Sequence, residues 1–155
     1  MIKSIEGNFD HPEVNELLIK HFIELRAASP EGSAHVLDIP GLKESSIKFW
    51  SLWEGKKLMG CGALKFLEKG HGEFKSIRVN DKFRNKGYGI KVINHLIEEA
   101  KKLDIRRLSI ETGAGKFFEP ARRLFNKCKF EPCEPFAHYK KDKNSIYLTK
   151  LISNE

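Results

Sequence analysis

A basic turn at residues 84–89 has the spacing R-x-x-G-x-G, formed by Arg84, Gly87 and Gly89. Glycines remove side chains where the backbone must curl, so several main-chain N–H groups can converge on one anion. The turn stands between a predicted strand and a predicted helix, and a helix N-terminus attracts negative charge. Arg84 and Lys86 add positive charge around it. The segment therefore predicts a phosphate-binding turn.

Two common phosphate-binding motifs do not fit this chain. A dinucleotide-binding fingerprint needs a third glycine three residues after Gly89, where the sequence has Val92. A P-loop needs a glycine five residues before its Gly-Lys pair and a hydroxyl residue after it. Around Gly115-Lys116 those places hold Ile110 and Phe117. The anion must therefore be held by another kind of turn.

The turn resembles the acetyl-CoA loop of the GNAT superfamily of N-acetyltransferases, in which the pyrophosphate of CoA sits on main-chain amides. The order of predicted elements over residues 48–150 is similar to the core of that family, and residues 25–35 are similar to one branch of small, single-domain members. The resemblance implies acetyl-CoA as co-substrate. The cofactor-binding residues that it implies are Ile77, Arg78, Val79, Arg84, Asn85, Lys86, Gly87, Tyr88, Gly89, Ile90 and Phe125.

The same resemblance implies acetyl transfer to a primary amine by direct attack in a ternary complex. Such a reaction needs a neutral amine, a polarised thioester carbonyl and a proton for the departing thiolate. Glu73, 84 − 73 = 11 residues before Arg84 on the predicted cofactor strand, is the first candidate for the general base. The alternative is a structural carboxylate that pairs with Lys75. Glu111, which shares a strand face with Ser109, is the second candidate and could instead bind the substrate amine.

The general acid is the point at which the sequence departs from the resemblance. Many GNAT proteins have a tyrosine in the fourth helix, but the matching position here is Phe125, which has no proton to donate. Tyr139, in a later loop that could fold over the cleft, is the replacement that we consider. The alternatives are that Tyr139 only packs at the rim of the cleft, and that solvent protonates the thiolate.

The acetyl acceptor is predicted to be a small amine or an amino-acid derivative. Ser29, Ser33 and His35 lie between the first predicted helix and the first hairpin, in a segment that could cover the cleft, and are the candidate substrate-binding residues. A protein lysine or a protein N-terminus is an alternative acceptor. A CoA-binding sensor without catalysis, and a basic nucleic-acid adaptor, are alternative functions.

Composition limits the remaining possibilities. A chain of 155 residues that is 40% hydrophobic predicts one domain, residues 1–155. No long apolar run or secretory leader is present, and the three cysteines form no metal-binding spacing, so we expect a cytoplasmic protein without metal or membrane contact. The net charge of +7 is spread along the chain, which does not favour nucleic acid. The oligomeric state stays open, with a homodimer as one option.

Hydrophobic periodicity and turn residues predict an α/β (α+β) fold. Strands are expected at residues 2–5, 47–53, 58–66, 73–79, 107–112, 130–133 and 145–151, and helices at residues 10–27, 90–103 and 120–127, with a loop or short helix in 29–41. The first helix is expected to be capped by Asp10. Together with the GNAT resemblance, this predicts a mixed, mostly antiparallel sheet of six to seven strands, flanked by about four helices and splayed between the fourth and fifth strands.

Overall fold

The computed structural model describes residues 1–152 and contains one seven-stranded sheet with helices on both faces. The strands are β1 (Ile2–Glu6), β2 (Ile47–Glu54), β3 (Lys57–Glu68), β4 (His71–Val79), β5 (Arg107–Gly113), β6 (Glu131–Pro132) and β7 (Ser145–Leu151). The α-helices are α1 (Pro12–Ala28), α2 (Ile39–Leu42), α3 (Tyr88–Lys102) and α4 (Glu119–Lys127). Short 3-10 turns, Asp81–Phe83 and Lys116–Phe118, precede α3 and α4.

The strands follow the order β1-β2-β3-β4-β5-β7-β6, and only β4 and β5 run parallel. The β4–β5 ladder joins residues 71–73 to residues 107–109 and ends there. Because β4 continues to Val79 and β5 to Gly113, the two strands diverge and leave a cleft between them. The structure confirms the predicted fold class, including the splay between the fourth and fifth strands.

Two apolar cores cover opposite faces of the sheet. The core under α3 and α4 includes Leu52, Leu64, Phe74, Ile93, Leu96, Leu108 and Phe130, and the core under α1 and α2 includes Val14, Leu17, Leu18, Leu42, Phe49 and Trp53. Each such side chain contributes about 1.5–3 kcal/mol when fully buried. Since successive side chains of a strand alternate between the faces, Phe74 belongs to the α3 side, and its neighbours Glu73 and Lys75 lie on the α1 side.

The first helix differs from the sequence prediction at its start. Asp10 does not cap it, so that prediction was wrong. The helix begins at Pro12, and the preceding residue His11 is the N-cap, whose Nδ1 accepts a hydrogen bond from the Glu13 amide at 3.2 Å. A proline suits the first helical position because its missing N–H would have no partner there.

The inner face of α1 also carries one polar residue that hydrophobic periodicity did not predict. His21 is buried, whereas the apolar residues Phe22 and Leu25 of the same helix are only half-buried. Within residues 1–152, none of the helices has both the length and the apolar composition needed to cross a bilayer.

Candidate active site

A cleft with a volume of about 600 Å³ lies where β4 and β5 separate. The two strands form its floor, the start of α3 and the inner face of α4 form one wall, and residues 29–36 form the opposite wall. We call the region around residues 84–90 the phosphate end. The region around Glu73, Glu111 and residues 29–36 is the acceptor end. One continuous cleft therefore joins most of the residues predicted from sequence.

The phosphate end offers main-chain hydrogen-bond donors. No side chain caps α3, and no group in residues 1–152 accepts a hydrogen bond from the amides of residues 85–90. Asn85 and Gly87 have φ values of 62° and 81°, which turn the chain sharply before the helix. A helix N-terminus with free amides carries a partial positive charge. This end of the cleft is therefore suited to an anion such as a diphosphate.

The two glycines of the turn are required for different reasons. Gly87 is the N-cap of α3 and has the left-handed conformation that side chains disfavour. Gly89 allows close packing, because a Cβ atom there would lie 2.7 Å from Leu124 Cδ2 of α4. The sequence motif therefore specifies both the shape of the turn and the distance between α3 and α4.

The basic residues near the phosphate end are partly engaged within the protein. Arg84 Nε lies 3.1 Å from Asp81 Oδ1, and the Arg84 side chain is 49% exposed, so it is able to reorient. Arg78 is buried, with its guanidinium 2.9 Å from Glu24 Oε1 and 3.2 Å from Asp81 Oδ1. A hydrogen bond from Lys20, with these arginines nearby, lowers the pKa of Asp81. Arg78 thus links α1 to β4 and offers the cleft mainly its backbone.

A β-bulge interrupts β4 beside the cleft. The β3–β4 register shifts between the pairs Cys61↔Arg78 and Ala63↔Lys75, and Ser76 within the bulge has φ 54°. Bulges bend a strand and re-aim its backbone groups. Ile77 and Val79, the predicted sites of a carbonyl-binding amide, follow the bulge and line the cleft. Nothing in the sequence marks Ser76 for a left-handed conformation, so this feature was missed.

The acceptor end contains a buried carboxylate with two polar partners. The Glu73 side chain is 2% exposed, and its Oε2 accepts a hydrogen bond from Tyr139 Oη at 2.6 Å. Lys75 Nζ lies 3.4 Å from the same oxygen and donates to Tyr139 Oη at 3.1 Å. Glu73 Oε1 has no hydrogen-bond partner within residues 1–152. The structure therefore contains the pairing with Lys75, and the role of Glu73 as a base stays a prediction.

Tyr139 is held tightly in this cluster. Burial, together with the adjacent Glu73 carboxylate, raises the pKa of Tyr139 well above its usual range, so the phenol keeps its proton. Its ring contacts those of His35 and His138, with centroid distances of 5.1 and 5.2 Å. Tyr139 thus covers Glu73 as a neutral hydrogen-bond donor.

Glu111 lies on β5 and lines the same cleft. Burial raises the pKa of Glu111, while a 2.7 Å hydrogen bond from Ser145 Oγ opposes the shift. Leu108 and Ile110 belong to the core under α3 and α4, so Glu111 faces the α1 side as strand alternation predicts. The cleft therefore has two carboxylates, and Glu73 is the more deeply enclosed of them.

The predicted substrate-binding residues lie in the wall opposite α3. Ser33 Oγ donates to Asp142 Oδ2 at 3.1 Å, and the His35 ring contacts Tyr139. Ser29 Oγ donates to the Leu25 carbonyl at 2.8 Å, at the end of α1. Residues 29–36 and the loop that follows β6 are thus connected, and together they cover the acceptor end.

Phe125 lines the cleft from α4 and is almost fully buried. Its ring packs against Phe130 at a centroid distance of 5.3 Å.

Lys86 and Tyr88 belong to the predicted phosphate turn but do not line the cleft, and Tyr139 borders an adjoining cavity. Lys75 was anticipated only as an ion-pair partner. Its period-two spacing from Glu73 was the available signal that both residues share a face.

A splayed parallel strand pair, with free helix-terminal amides at one end and a buried carboxylate at the other, defines an acyltransferase that uses a CoA thioester. Residues 12–130 match the pattern described as the Acetyltransferase (GNAT) family. The chain belongs to this family and is an acetyltransferase. The family and structures of the same fold solved with CoA or acetyl-CoA support acetyl-CoA as its co-substrate.

Relatives and solved structures agree with this assignment. The chain is 46% identical to a Bacillus subtilis protein described as the uncharacterized N-acetyltransferase YsnE, over 90% of this chain and 93% of the relative. It is 38% identical to an Escherichia coli protein described as the uncharacterized N-acetyltransferase YedL, over 92% and 89% of the two chains. A Bacillus subtilis acetyltransferase solved in complex with CoA has the same fold, with a TM-score of 0.71 at 19% identity, and the match covers 99% of this chain and 100% of that one.

Proposed function

We propose that this protein transfers an acetyl group from acetyl-CoA to a primary amine of a small molecule or amino-acid derivative, by direct attack in a ternary complex. The observation that carries the proposal is the Oε1 of the buried Glu73, which has no partner within residues 1–152, in the same cleft as the free amides of Asn85, Gly87, Gly89 and Ile90. Relatives described as N-acetyltransferases support nitrogen as the acceptor atom.

In this mechanism the amine lone pair attacks the thioester carbonyl, and Glu73 takes a proton from the amine, directly or through water. A main-chain amide near Ile77 or Val79 stabilises the developing oxyanion. The carbon–sulfur bond then breaks with its electron pair on sulfur, and solvent protonates the thiolate. Tyr139 orients Glu73 through the 2.6 Å hydrogen bond and, with its raised pKa, keeps its own proton.

Direct attack is supported by the positions of the cysteines. Cys61 is fully buried, and burial raises the pKa of its thiol to about 12. Cys128 and Cys133 do not line the cleft. An acetyl-cysteine intermediate needs an accessible thiolate, so we expect intersecting rather than parallel lines in double-reciprocal plots of initial velocity against both substrates.

A small acceptor is favoured over a protein because two connected segments cover the acceptor end. The Ser33–Asp142 hydrogen bond and the contact between His35 and Tyr139 join the two segments over the acceptor end. A protein lysine would require these contacts to open.

The test is the Glu73→Gln variant, which keeps the shape of the side chain and removes its basicity. We expect acetyl-CoA binding in calorimetry to be unchanged and thiol release with an amine acceptor to fall by about 10²–10⁴-fold at neutral pH. The control is Glu98→Gln, because Glu98 is 62% exposed on α3 and pairs only with Lys101. Unchanged turnover in Glu73→Gln would exclude Glu73 as the base.

A further inference from the structure

A second cavity, of about 430 Å³, adjoins the acceptor end. It is bordered by His35 and by residues 138–143 of the loop between β6 and β7. His35 lines both cavities, and Tyr139 lies between Glu73 and the second cavity. An acceptor whose amine reaches Glu73 would extend its other end into the second cavity past the His35–Tyr139 contact, which lies between the two spaces.

The second cavity is rich in positive charge. Lys140, Lys141 and Lys143 border it, together with the imidazoles of His35 and His138. Asp142 is its one acidic residue, and both carboxylate oxygens of Asp142 are already used. Oδ1 accepts from the Asn144 amide at 2.8 Å and Oδ2 accepts from Ser33 Oγ at 3.1 Å. The lysines thus outnumber the acid three to one, and the acid is directed toward the protein.

The loop that carries these lysines has a defined shape. Tyr147 Oη donates to the Lys140 carbonyl at 2.8 Å, and the Tyr139 amide donates to the Phe136 carbonyl at 3.0 Å. The Ser145 amide donates to the Asp142 carbonyl at 3.1 Å. A backbone that is fixed before binding reduces the entropy lost on binding, so the charged rim is arranged before a ligand arrives.

The acceptor end of the cleft and the second cavity differ in charge. The acceptor end contains the carboxylates of Glu73 and Glu111, and its cation Lys75 is occupied by Glu73 and Tyr139. The second cavity presents cations without carboxylate partners within residues 1–152. A molecule that matches this pattern has an amine at one end and a negative charge at the other.

We propose that the acetyl acceptor carries an anionic group, a carboxylate or a phosphate, which the lysine-lined cavity of residues 138–143 binds while the amine faces Glu73. This inference rests on the proposed function and narrows its substrate class. The lysines attract the anion and raise the local concentration of acceptor, and salt screens this attraction.

The experiment compares acceptors that differ in the charge of the end remote from the amine, with rates expressed per concentration of neutral amine because that charge also changes the pKa of the amine. The carboxylate arm uses glycine, β-alanine, 4-aminobutyrate and 6-aminohexanoate, each beside its carboxamide, and the phosphate arm uses O-phosphoethanolamine beside ethanolamine. The initial rate of thiol release from acetyl-CoA gives KM and kcat for each compound. We expect at least one acid to have a kcat/KM about tenfold or more above that of its neutral partner, the effect of one charge-assisted hydrogen bond. That preference should decrease with added salt.

A triple variant connects this preference to the cavity. Lys140→Gln/Lys141→Gln/Lys143→Gln is expected to raise KM for the anionic acceptor about tenfold or more while leaving its neutral partner and the KM of acetyl-CoA unchanged. The matched control is Lys56→Gln/Lys69→Gln/Lys102→Gln, which removes the same charge at exposed lysines that border neither cavity. Equal preference for acids and neutral partners in the wild type, or equal losses on both in the triple variant, would overturn the proposal.

Failure of the proposed function is distinguishable from failure of this inference. If acetyl-CoA binds but none of these amines is acetylated, the proposed acetyl transfer to small amines is wrong. The anion site is then tested by calorimetric binding of the same acids and neutral partners to the CoA complex. Binding of an acid that the triple variant loses and the control keeps supports the anion site. The absence of any acid binding overturns it.

Discussion

At the scale of single residues, the acceptor end shows how a buried carboxylate can be oriented and still available. Glu73 has one oxygen that receives a hydrogen bond from Tyr139 and faces the Lys75 ammonium, and one oxygen without a partner in residues 1–152. A buried acceptor without a partner is costly. The free oxygen therefore has a strong tendency to accept a donor, such as water or the amine of an acceptor.

Replacement of Tyr139 tests its orienting role. Tyr139→Phe keeps the ring and removes the hydroxyl, and a hydrogen bond to a charged group is worth about 1.5–3 kcal/mol. We expect kcat to fall by about 10- to 100-fold, while the KM for acetyl-CoA stays constant because the phosphate end is unchanged. Steady-state kinetics with both substrates measures the two effects.

Tyr147→Phe is the comparison, since the Tyr147 hydroxyl donates to Lys140 in the same loop without touching Glu73. It is expected to affect the acceptor KM more than kcat. A Tyr139→Phe enzyme with wild-type kcat would show that the hydroxyl only packs at the rim of the cleft.

At the scale of elements, the close packing of α3 against α4 depends on the absence of a side chain at Gly89. Gly89 faces Leu124 of α4, and a Cβ atom would approach Leu124 Cδ2 to 2.7 Å. The two helices would have to move apart or Leu124 would have to change rotamer. The phosphate end and the wall that contains Phe125 are therefore coupled through this contact.

Gly89→Ala is expected to lower the free energy of unfolding by about 1–3 kcal/mol, the usual cost of overpacking, and to raise the KM for acetyl-CoA. Urea unfolding and steady-state kinetics measure the two effects. Gly115→Ala is the matched control, because a Cβ atom at Gly115 has no heavy atom within 4 Å and its φ is −73°. Equal stabilities of the two variants would exclude the predicted clash.

At the scale of the whole molecule, α1 is joined to the sheet by a buried polar cluster as well as by apolar packing. His21 of α1 has its Nδ1 3.5 Å from Arg78 Nη1 of β4, and Glu24 of α1 pairs with the same guanidinium. Burial, followed by the charges of Arg78 and Arg84, lowers the pKa of His21 to about 3. The folded protein therefore holds this imidazole neutral.

Stability is expected to fall in mild acid for this reason. Between pH 6.5 and about 3, the unfolded chain binds a proton at His21 that the folded protein does not, so the free energy of unfolding decreases as pH decreases. One pKa unit corresponds to about 1.4 kcal/mol, which makes the loss between pH 8 and pH 5 about 2 kcal/mol.

His21→Gln keeps a polar group beside Arg78 and removes the titration, so its unfolding free energy should change less over this interval. Urea unfolding of both proteins at pH 8 and pH 5 measures the difference. Identical pH dependence of the two proteins would contradict the assignment.

Much of the architecture could be predicted from local sequence patterns. The helix predicted at residues 90–103 and the strands predicted at residues 47–53 and 58–66 depend on neighbouring residues, and the structure confirms them as α3, β2 and β3. The details of the site depend on contacts between distant residues. Glu73 and Tyr139 are 66 positions apart in the chain, and no local pattern indicates that they meet.

The misplaced N-cap of α1 and the buried His21 have comparable explanations. Asp10 and His11 are both able to accept a hydrogen bond from the first turn, and the position of Pro12 decides between them. Hydrophobic periodicity predicts an apolar side chain at the position of His21. The imidazole is tolerated there because it lies next to the Arg78 guanidinium, which in turn pairs with Glu24.

The short β4–β5 ladder divides the sheet into two halves, β1–β4 and β5–β7, which are joined by only three residue pairs. Beyond Glu73, the edge of β4 on the β5 side has no paired strand within residues 1–152. The amide groups of a thioester arm lying in that gap would form hydrogen bonds with the free edge of β4 and so connect the two halves of the sheet. Deuterium uptake over residues 74–79 should then slow when acetyl-CoA is added, whereas residues 50–54 of β2, which are paired with both β1 and β3, should exchange as before.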